Sequence, residues 1–560
     1  MVVPELRGWR AARPRLARLA RPARDRLGRV VRSAAPRVVR LTAAARPRPG
    51  GPRTWQYTAG AAAAGLALAA GAVAAAGPWD STGQRTAERD RAGAMERAGG
   101  ADHGRGGRAP ASFSDPSDAS DASDPSDSGA GSDSGSGSGS GSGDGPDGGG
   151  AAPSAAPVLA AVGGGASVRP AAGGPSLASV LDPLLKDPAL GARRSAVVVD
   201  AATGRRLYGQ GAGDGFTPAS TTKIATAVAA LSALGPDHRF TTRAALAPGG
   251  REVVLVGGGD PTLTARRDAQ GWAGLRTLAD RTAAALARRG LTRVTLSYDT
   301  SLYAGPDLHP IGVNDNLARV TALTADEGRS DGSVGGPAPR AADPAAEAAR
   351  AFGRFLAARG VHTADPVPGK AAARAQTLAT VASPPLSAVV ERMLTNSDND
   401  IAEALARQTA AATGERTDFA GGARAIGARL AKLGLPLAGA AFHDGSGLDR
   451  ADRLTPGLLT ALLHEAAEPA HPELRPVLTG LPVAAFTGTL ADRYAHDGAA
   501  GIVRAKTGTL TGVNALAGTA VDRDGRLLAF AFLTEGAPAP GAAQSALDKA
   551  ATALAACGCG

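Results

Sequence analysis

The sequence predicts a mixed α/β domain, an antiparallel sheet flanked by helices, with an extra module inserted into it. Three observations predict this. Strand-like pairs lie at both ends of the folded region: Ala196–Val199 with Arg206–Gln210 around Asp200-Ala-Ala-Thr-Gly204, and Leu516–Val521 with Leu527–Leu533 around Asp522-Arg-Asp-Gly525. Helical stretches fill the interval between them. Residues 240–380 carry their own alternation of strands and helices, as a separate module would.

At 560 residues the chain is too long for one core. Its formal charge is +10, yet residues 1–53 hold fifteen Arg against Glu5 and Asp25, so the remainder is close to neutral. A basic footprint over the whole protein is therefore absent, and nucleic acid is not an expected partner. From Thr54 to Trp79 no residue is charged, and the stretch is mostly Ala with Gly, Leu and Val. About twenty such residues suffice to cross a bilayer as a helix. Trp55 and Trp79 flank it as interfacial anchors would, and the Arg-rich segment ahead of it fits a cytoplasmic tail. The favoured reading of 54–79 is an uncleaved single-pass anchor, with the catalytic part outside the cell membrane. A signal peptide cleaved near Ala74–Ala76 and a soluble buried helix are the alternatives.

Residues 80–175 read as a tether. Asp115, Asp118, Asp121, Asp124 and Asp127 recur every third residue among Ser, Ala and Pro, followed by Gly-Ser alternation over 129–143. Such a composition buries too little apolar surface to offset its ordering entropy. Folded sequence begins near Ser176, and the catalytic domain is expected over 176–239 and 381–560. After the first hairpin, a helix runs to Leu234. Val253–Val256 reads as a strand, Leu275–Arg289 as a helix, Val294–Tyr298 as a strand and Ala345–Arg359 as a helix. Pro385–Ala411 reads as helix around one interruption, and a last helix covers Ala542 to Ala556. The two cysteines, Cys557 and Cys559, read as incidental thiols of a frayed terminus rather than a structural disulfide or a metal site.

Lysine usage carries chemistry. There are six Lys (186, 223, 370, 432, 506 and 549) and fifty-five Arg. Arg stays protonated and is no base, whereas a buried Lys can lose its proton. Ser220-Thr-Thr-Lys223 puts a hydroxyl and an amine on one face of the first turn of a helix, where a neutral Lys can take the Ser proton. Ser397-Asp-Asn399 puts a hydroxyl and an amide on a tight turn, suited to proton relay and to holding a substrate amide. Lys506-Thr507-Gly508-Thr509 offers positive potential for a carboxylate, close backbone approach at Gly508, and an N–H at Thr509 for a developing oxyanion. Singly, each has a plainer reading: a capping Ser with a surface Lys, a helix-capping turn, a polar turn before a strand. In this order they form the signature set of penicillin-interacting serine enzymes, with two of six Lys where that chemistry needs one.

The stretch from about 190 to 556 also resembles the D-alanyl-D-alanine carboxypeptidase/endopeptidases of the low-molecular-mass class C type, the DacB family. Val256-Gly-Gly-Gly-Asp-Pro-Thr-Leu263, Ala322-Leu-Thr-Ala-Asp-Glu-Gly-Arg329, Ser383-Pro-Pro-Leu-Ser387, Asp444-Gly-Ser-Gly-Leu448 and Phe486-Thr-Gly-Thr-Leu490 are similar to family segments. The resemblance implies the penicillin-binding transpeptidase/β-lactamase-like fold, with extra domains between the first two motifs. It implies peptidoglycan stem peptides as substrate, β-lactams as covalent inhibitors, and no cofactor or metal. By motif, Ser220 is the implied nucleophile, Lys223 its base and Ser397 the proton relay to the leaving amine. Asn399 would hold the acyl side chain, Lys506 and Thr507 the terminal carboxylate, and the N–H groups of Ser220 and Thr509 the oxyanion, next to Gly508.

The sequence weighs against rivals. A class A β-lactamase needs a Glu-x-x-x-Asn for its deacylating water, and no Asn occurs between Asn399 and Asn514. The eight His are scattered without an H-E-x-x-H pair, which disfavours a metalloprotease. His443, beside Asp444, is the candidate for His–Asp chemistry, with a structural role as its plainer reading. A non-catalytic, membrane-tethered wall-binding or β-lactam-sensing module stays as the alternative from another class.

Overall fold

The computed structural model describes residues 176–559 apart from His496. The tail 1–53, the anchor 54–79 and the tether 80–175 lie outside the described residues. Among the described residues no helix is long and apolar enough to cross a membrane.

Along the chain, α1 (Leu177–Leu185) leads into β1 (Arg193–Asp200), β2 (Arg206–Gln210) and α2 (Thr222–Leu234). Then come β3 (Thr241–Leu246), β4 (Glu252–Val256), α3 (Leu275–Ala287), β5 (Thr295–Asp299), α4 (Pro344–Ala357), β6 (Val367–Pro368) and β7 (Gln376–Ala382). The helices α5 (Leu386–Asn396), α6 (Asn399–Thr413), α7 (Phe419–Lys432), α8 (Pro456–Ala467) and the short α9 (Pro476–Thr479) follow. The chain ends in β8 (Arg504–Leu510), β9 (Val513–Val521), β10 (Leu527–Glu535) and α10 (Pro540–Ala556).

Two five-stranded sheets result. The first has the order β2-β1-β10-β9-β8 and is antiparallel throughout. Its centre pairs strands from opposite ends of the folded chain, Val197 facing Ala531. Strand alternation splits its residues between two cores. Val197, Val199, Ala529, Ala531 and Leu533 pack toward α2, α5, α6 and α8. Ala196, Val198, Leu528, Phe530 and Phe532 pack toward α1 and α10. Helix α2 is buried from Thr222 through Leu231, because protein surrounds it on all sides, and its small Ala residues let neighbours approach.

The second sheet, order β6-β5-β4-β3-β7, is mixed. β4 and β5 run parallel across the crossover helix α3, while β3 is antiparallel to both β4 and β7. It has its own core with α3 and α4.

The C-terminus corrects one expectation. Cys557 and Cys559 are both buried, pack among residues of the α1/α10 core, and are joined as a disulfide. The Cys557 carbonyl accepts from Arg523 N–H, and the Cys559 carbonyl from the Arg526 guanidinium. These bonds tie the end of the chain to the β9–β10 turn, so it does not fray.

Candidate active site

Ser220 sits in a 3-10 turn, Ala219–Thr221, that runs directly into α2. The turn is forced into shape. Ala219 has φ 48°, left-handed backbone that a non-glycine residue adopts only when its surroundings hold it. Two glycines do the holding. A Cβ on Gly447 would lie 1.9 Å from the Ala219 carbonyl oxygen, and one on Gly508 would lie 2.6 Å from that of Pro218. The Ser220 turn is thus clasped between the Asp444–Leu448 loop and strand β8.

Lys223, one turn on, is fully buried, and its Nζ lies 3.0 Å from Ser220 Oγ. Two other acceptors hold it: Asn399 Oδ1 at 2.6 Å and the Ser446 carbonyl at 2.7 Å. Asn399 Nδ2 donates to the Asn316 carbonyl at 2.9 Å, which fixes the amide with its oxygen toward Lys223. Burial pushes the Lys223 pKa down to about 8 against the pull of Asp444, Glu403, Asp398 and Asp400.

Ser397 ends α5 in left-handed backbone, φ 58°, and Asp398 caps α6 by accepting from Ile401 N–H at 3.0 Å. The capping role is real, and it turns Ser397 and Asn399 into the cleft. Lys506, also fully buried, donates to Ser397 Oγ at 2.8 Å and to the Thr507 carbonyl at 2.8 Å. Burial and the Lys223 charge hold its pKa well below the ordinary lysine value. Thr507 Oγ1 donates to Thr489 Oγ1 at 3.0 Å. The Thr509 side chain is met by Gln544 of α10, across the sheet, so Thr509 offers the cleft its backbone only.

Hydrogen bonds therefore link Ser220, Lys223 and Asn399 in one set and Ser397, Lys506 and Thr507 in another, with Gly508 packed on the Ser220 turn. His443 does not pair with Asp444. Its N–H donates to Asp452, and Asp444 is met instead by His309 Nε2 at 3.2 Å, from the inserted module. Sequence reasoning also missed Glu403, whose Oε1 accepts from Gly445 and Ser446 N–H at 3.1 and 2.8 Å. The available signal was its position four residues after Asn399, on the same face of α6, as the one acid within an apolar run. The ligand atoms of His309, Glu403 and Asp444 lie within 4.8 Å of one another, near enough for a cation. N–H donors already fill the carboxylates, and the Ile311 N–H fills His309 Nδ1, so the donor set suits hydrogen bonding better than metal.

The pattern of the D-Ala-D-Ala carboxypeptidase 3 (S13) family matches residues 177–335 and 337–555. A carboxypeptidase of Mycobacterium tuberculosis is 37% identical over 391 residues, covering 67% of this chain and 82% of that one. Carboxypeptidase DacB of Mycolicibacterium smegmatis is 38% identical over 403 residues, 69% of this chain and 85% of its own. A D-alanyl-D-alanine carboxypeptidase of an Actinomadura species is 32% identical over 448 residues, 66% of this chain and 82% of its own. The crystal structure of penicillin binding protein 4 (dacB) from Haemophilus influenzae superposes with a TM-score of 0.55 at 21% identity. It covers 68% of this chain and 98% of that one, and so shares the fold.

Proposed function

The chain belongs to the D-Ala-D-Ala carboxypeptidase 3 (S13) family and is a serine-type carboxypeptidase, and from that premise we propose that Ser220 carries its acyl-enzyme. One observation supports this above the others. Of the three partners of Lys223 Nζ, two are carbonyl oxygens with no proton to give, and the third is the Ser220 hydroxyl. A neutral Lys223 keeps its two N–H groups on the carbonyls and turns its lone pair to Ser220.

The steps follow. Lys223 takes the Ser220 proton as Oγ attacks the carbonyl carbon between two D-alanines of a stem peptide. The oxyanion is held by the N–H groups of Ser220 and Thr509. The proton that Lys223 took passes by way of Ser397 to the leaving amine as the C–N bond breaks. Water then attacks the acyl-enzyme carbonyl, giving a proton to Lys223, which returns it to Ser220 Oγ as the acyl group leaves as a carboxylic acid. Asn399 orients the acyl side chain with its second amide proton. Lys506 is buried behind Ser397 and Thr507, so it meets the substrate carboxylate only through those two residues. The same acyl-enzyme would serve cross-link cleavage, which release of free D-Ala against opening of defined cross-linked muropeptides distinguishes. Peptidoglycan stem peptides are the substrate in this reading, and β-lactams acylate the same serine, as a β-lactam bound to the Haemophilus protein supports.

The reading extends to location: residues 54–79 anchor the protein, 80–175 tether it, and the catalytic domain works outside the membrane. The uncharged 54–79 behind an Arg-rich 1–53 supports this. The full-length protein should be labelled covalently by a fluorescent penicillin and recovered with membranes, and Ser220→Ala should abolish labelling. A labelled Ala variant would sink the nucleophile assignment, and labelled wild type in the soluble fraction would sink the anchor.

A further inference from the structure

Behind Lys223, on the side away from Ser220, lies a buried set of groups to which acyl transfer itself assigns no step. Glu403 projects from α6 and accepts the N–H groups of Gly445 and Ser446. Asp444 accepts the N–H groups of Ser446, Gly447 and Asp449, at 3.1, 2.6 and 2.7 Å, and the Nε2–H of His309 at 3.2 Å. Together these bonds hold the turn 444–449 so that the Ser446 carbonyl faces Lys223 Nζ. Thr226, one turn beyond Lys223, clamps the same turn by donating to the Gly445 carbonyl at 2.6 Å. Neither carboxylate is hydrogen-bonded to the amine. They act through the turn and through their charge.

We propose that Glu403 and Asp444, the latter oriented by His309 of the inserted module, are the positioning set of the catalytic base. They fix the Ser446 carbonyl on Lys223 and supply the negative charge that its ammonium faces once it has taken the Ser220 proton. This rests on the reading of Lys223 as base. The physical need is plain: Lys223 is fully buried, and a lone ammonium in a dry site is costly unless paired and hydrogen-bonded. Its two fixed acceptors are neutral, so the charge must come from elsewhere.

The neighbours decide which groups can supply it. From α6 and its cap, Asp398, Asp400 and Glu403 favour the ammonium, and the Lys223 charge pushes Lys506 of β8 toward its neutral form. Burial and the charge of Glu327 push Asp398 well up, which works against its charged form, and Arg340 already pairs with Asp400 at 2.9 Å. Burial, then the Asp444 charge, raises Asp452 to about 9, leaving it neutral. Burial works against an ionised Asp444, but the bonds from His309, Asp449 and Gly447 outweigh it. His309 feels opposed pulls: burial disfavours its charged form and Asp444 favours it, raising its proton affinity. Its Nδ1 faces the Ile311 N–H, which leaves Nε2 to donate to Asp444. Burial raises Glu403 to about 7, so it is largely ionised where Lys223, at about 8, gives up its proton. Glu403 and Asp444 are what remains.

The test uses the full-length protein and the rate of acylation by a fluorescent penicillin across the neutral and alkaline range. Glu403→Gln keeps an acceptor for the Gly445 and Ser446 N–H groups and removes the charge. The limb on which the rate rises should move to lower pH by about one unit. The plateau should fall several-fold, because a weaker base transfers the proton less well. A lowered plateau with an unmoved limb would mean a merely structural role and would overturn the proposal, as would wild-type behaviour. Asp444→Asn should move the limb the same way, and it decides the matter if Glu403→Gln does not fold. Wild type that is never acylated would instead sink the reading of Ser220 and Lys223, a distinguishable failure.

Discussion

Two fully buried lysines share the cleft, and they are not equivalent. Lys506 has the Ser397 hydroxyl and its neighbour's carbonyl as partners, and both burial and the Lys223 charge drive it toward the neutral form. Lys223 is lowered to about 8 by burial, against the pull of carboxylates of which Asp444 and Glu403 are the strongest. Because the folded pKa lies below the ordinary 10.5, neutral Nζ becomes the main form as pH rises through about 8. Acylation of Ser220 should therefore climb across that pH, with little rate left well below it. Lys223→Arg should be as damaging as Lys223→Ala, each costing roughly 100-fold or more in acylation rate, since Arg keeps the charge and is no base at any accessible pH. Measured acylation by the Arg variant within a few-fold of wild type would show that charge, and not proton transfer, is what Lys223 supplies.

At the scale of the element, the Ser220 turn is the strained piece, and the loop after α7 restrains it. Gly447, at φ +80°, is pressed on the Ala219 carbonyl, whereas Gly434, at φ +75°, faces open space. Gly447→Ala should lower stability by about 2–4 kcal/mol, from backbone strain plus overpacking, and acylation should fall with it. Gly434→Ala carries the strain alone and should cost about 1 kcal/mol with acylation intact. Thermal unfolding and penicillin labelling of the two variants separate these, and equal effects on labelling would remove the clasp from the account. The contrast also marks what the sequence makes legible. Ser220 with Lys223 and Ser397 with Asn399 lie three and two residues apart, so helix or turn spacing alone brings each pair together, and Lys506 and Thr507 are adjacent on one strand. The strands at both ends declare themselves by turn residues and β-branched or aromatic runs, and β1 does pair with β10. His309 and Asp444 are 135 residues apart, and only the tertiary fold joins them, so adjacency in the chain pointed to His443 instead. The buried Cys557–Cys559 pair was missed for a similar reason: closeness to the terminus says nothing of the α1/α10 core that covers it.

Across the whole molecule, the inserted module is bonded to the motif at the end of α5. Asn316 gives its carbonyl to Asn399, Ala318 N–H donates to Asp400, and Arg340 pairs with Asp400 at 2.9 Å, with both side chains largely buried. Glu327, in left-handed backbone at φ 55°, lies beside Asp398, their carboxylate oxygens within 4.8 Å, and pairs with Arg329 and Arg392. The Ser397–Asn399 turn thus owes its setting to two bodies with separate cores. Breaking a buried pair from one side leaves a charge without its partner, and burial already raises Asp400 to about 6 against the pull of Arg340. Arg340→Met should therefore cost about 3–5 kcal/mol and depress acylation, although Arg340 is hydrogen-bonded to none of the catalytic groups. Adding Asp400→Asn keeps an acceptor for the Ala318 N–H and removes the stranded charge, so stability and acylation should largely return together. If Arg340→Met unfolded in two steps, with the catalytic domain melting and acylating as in wild type, the module would be an appendage. A single lowered transition, rescued with activity by the second substitution, makes it part of the site.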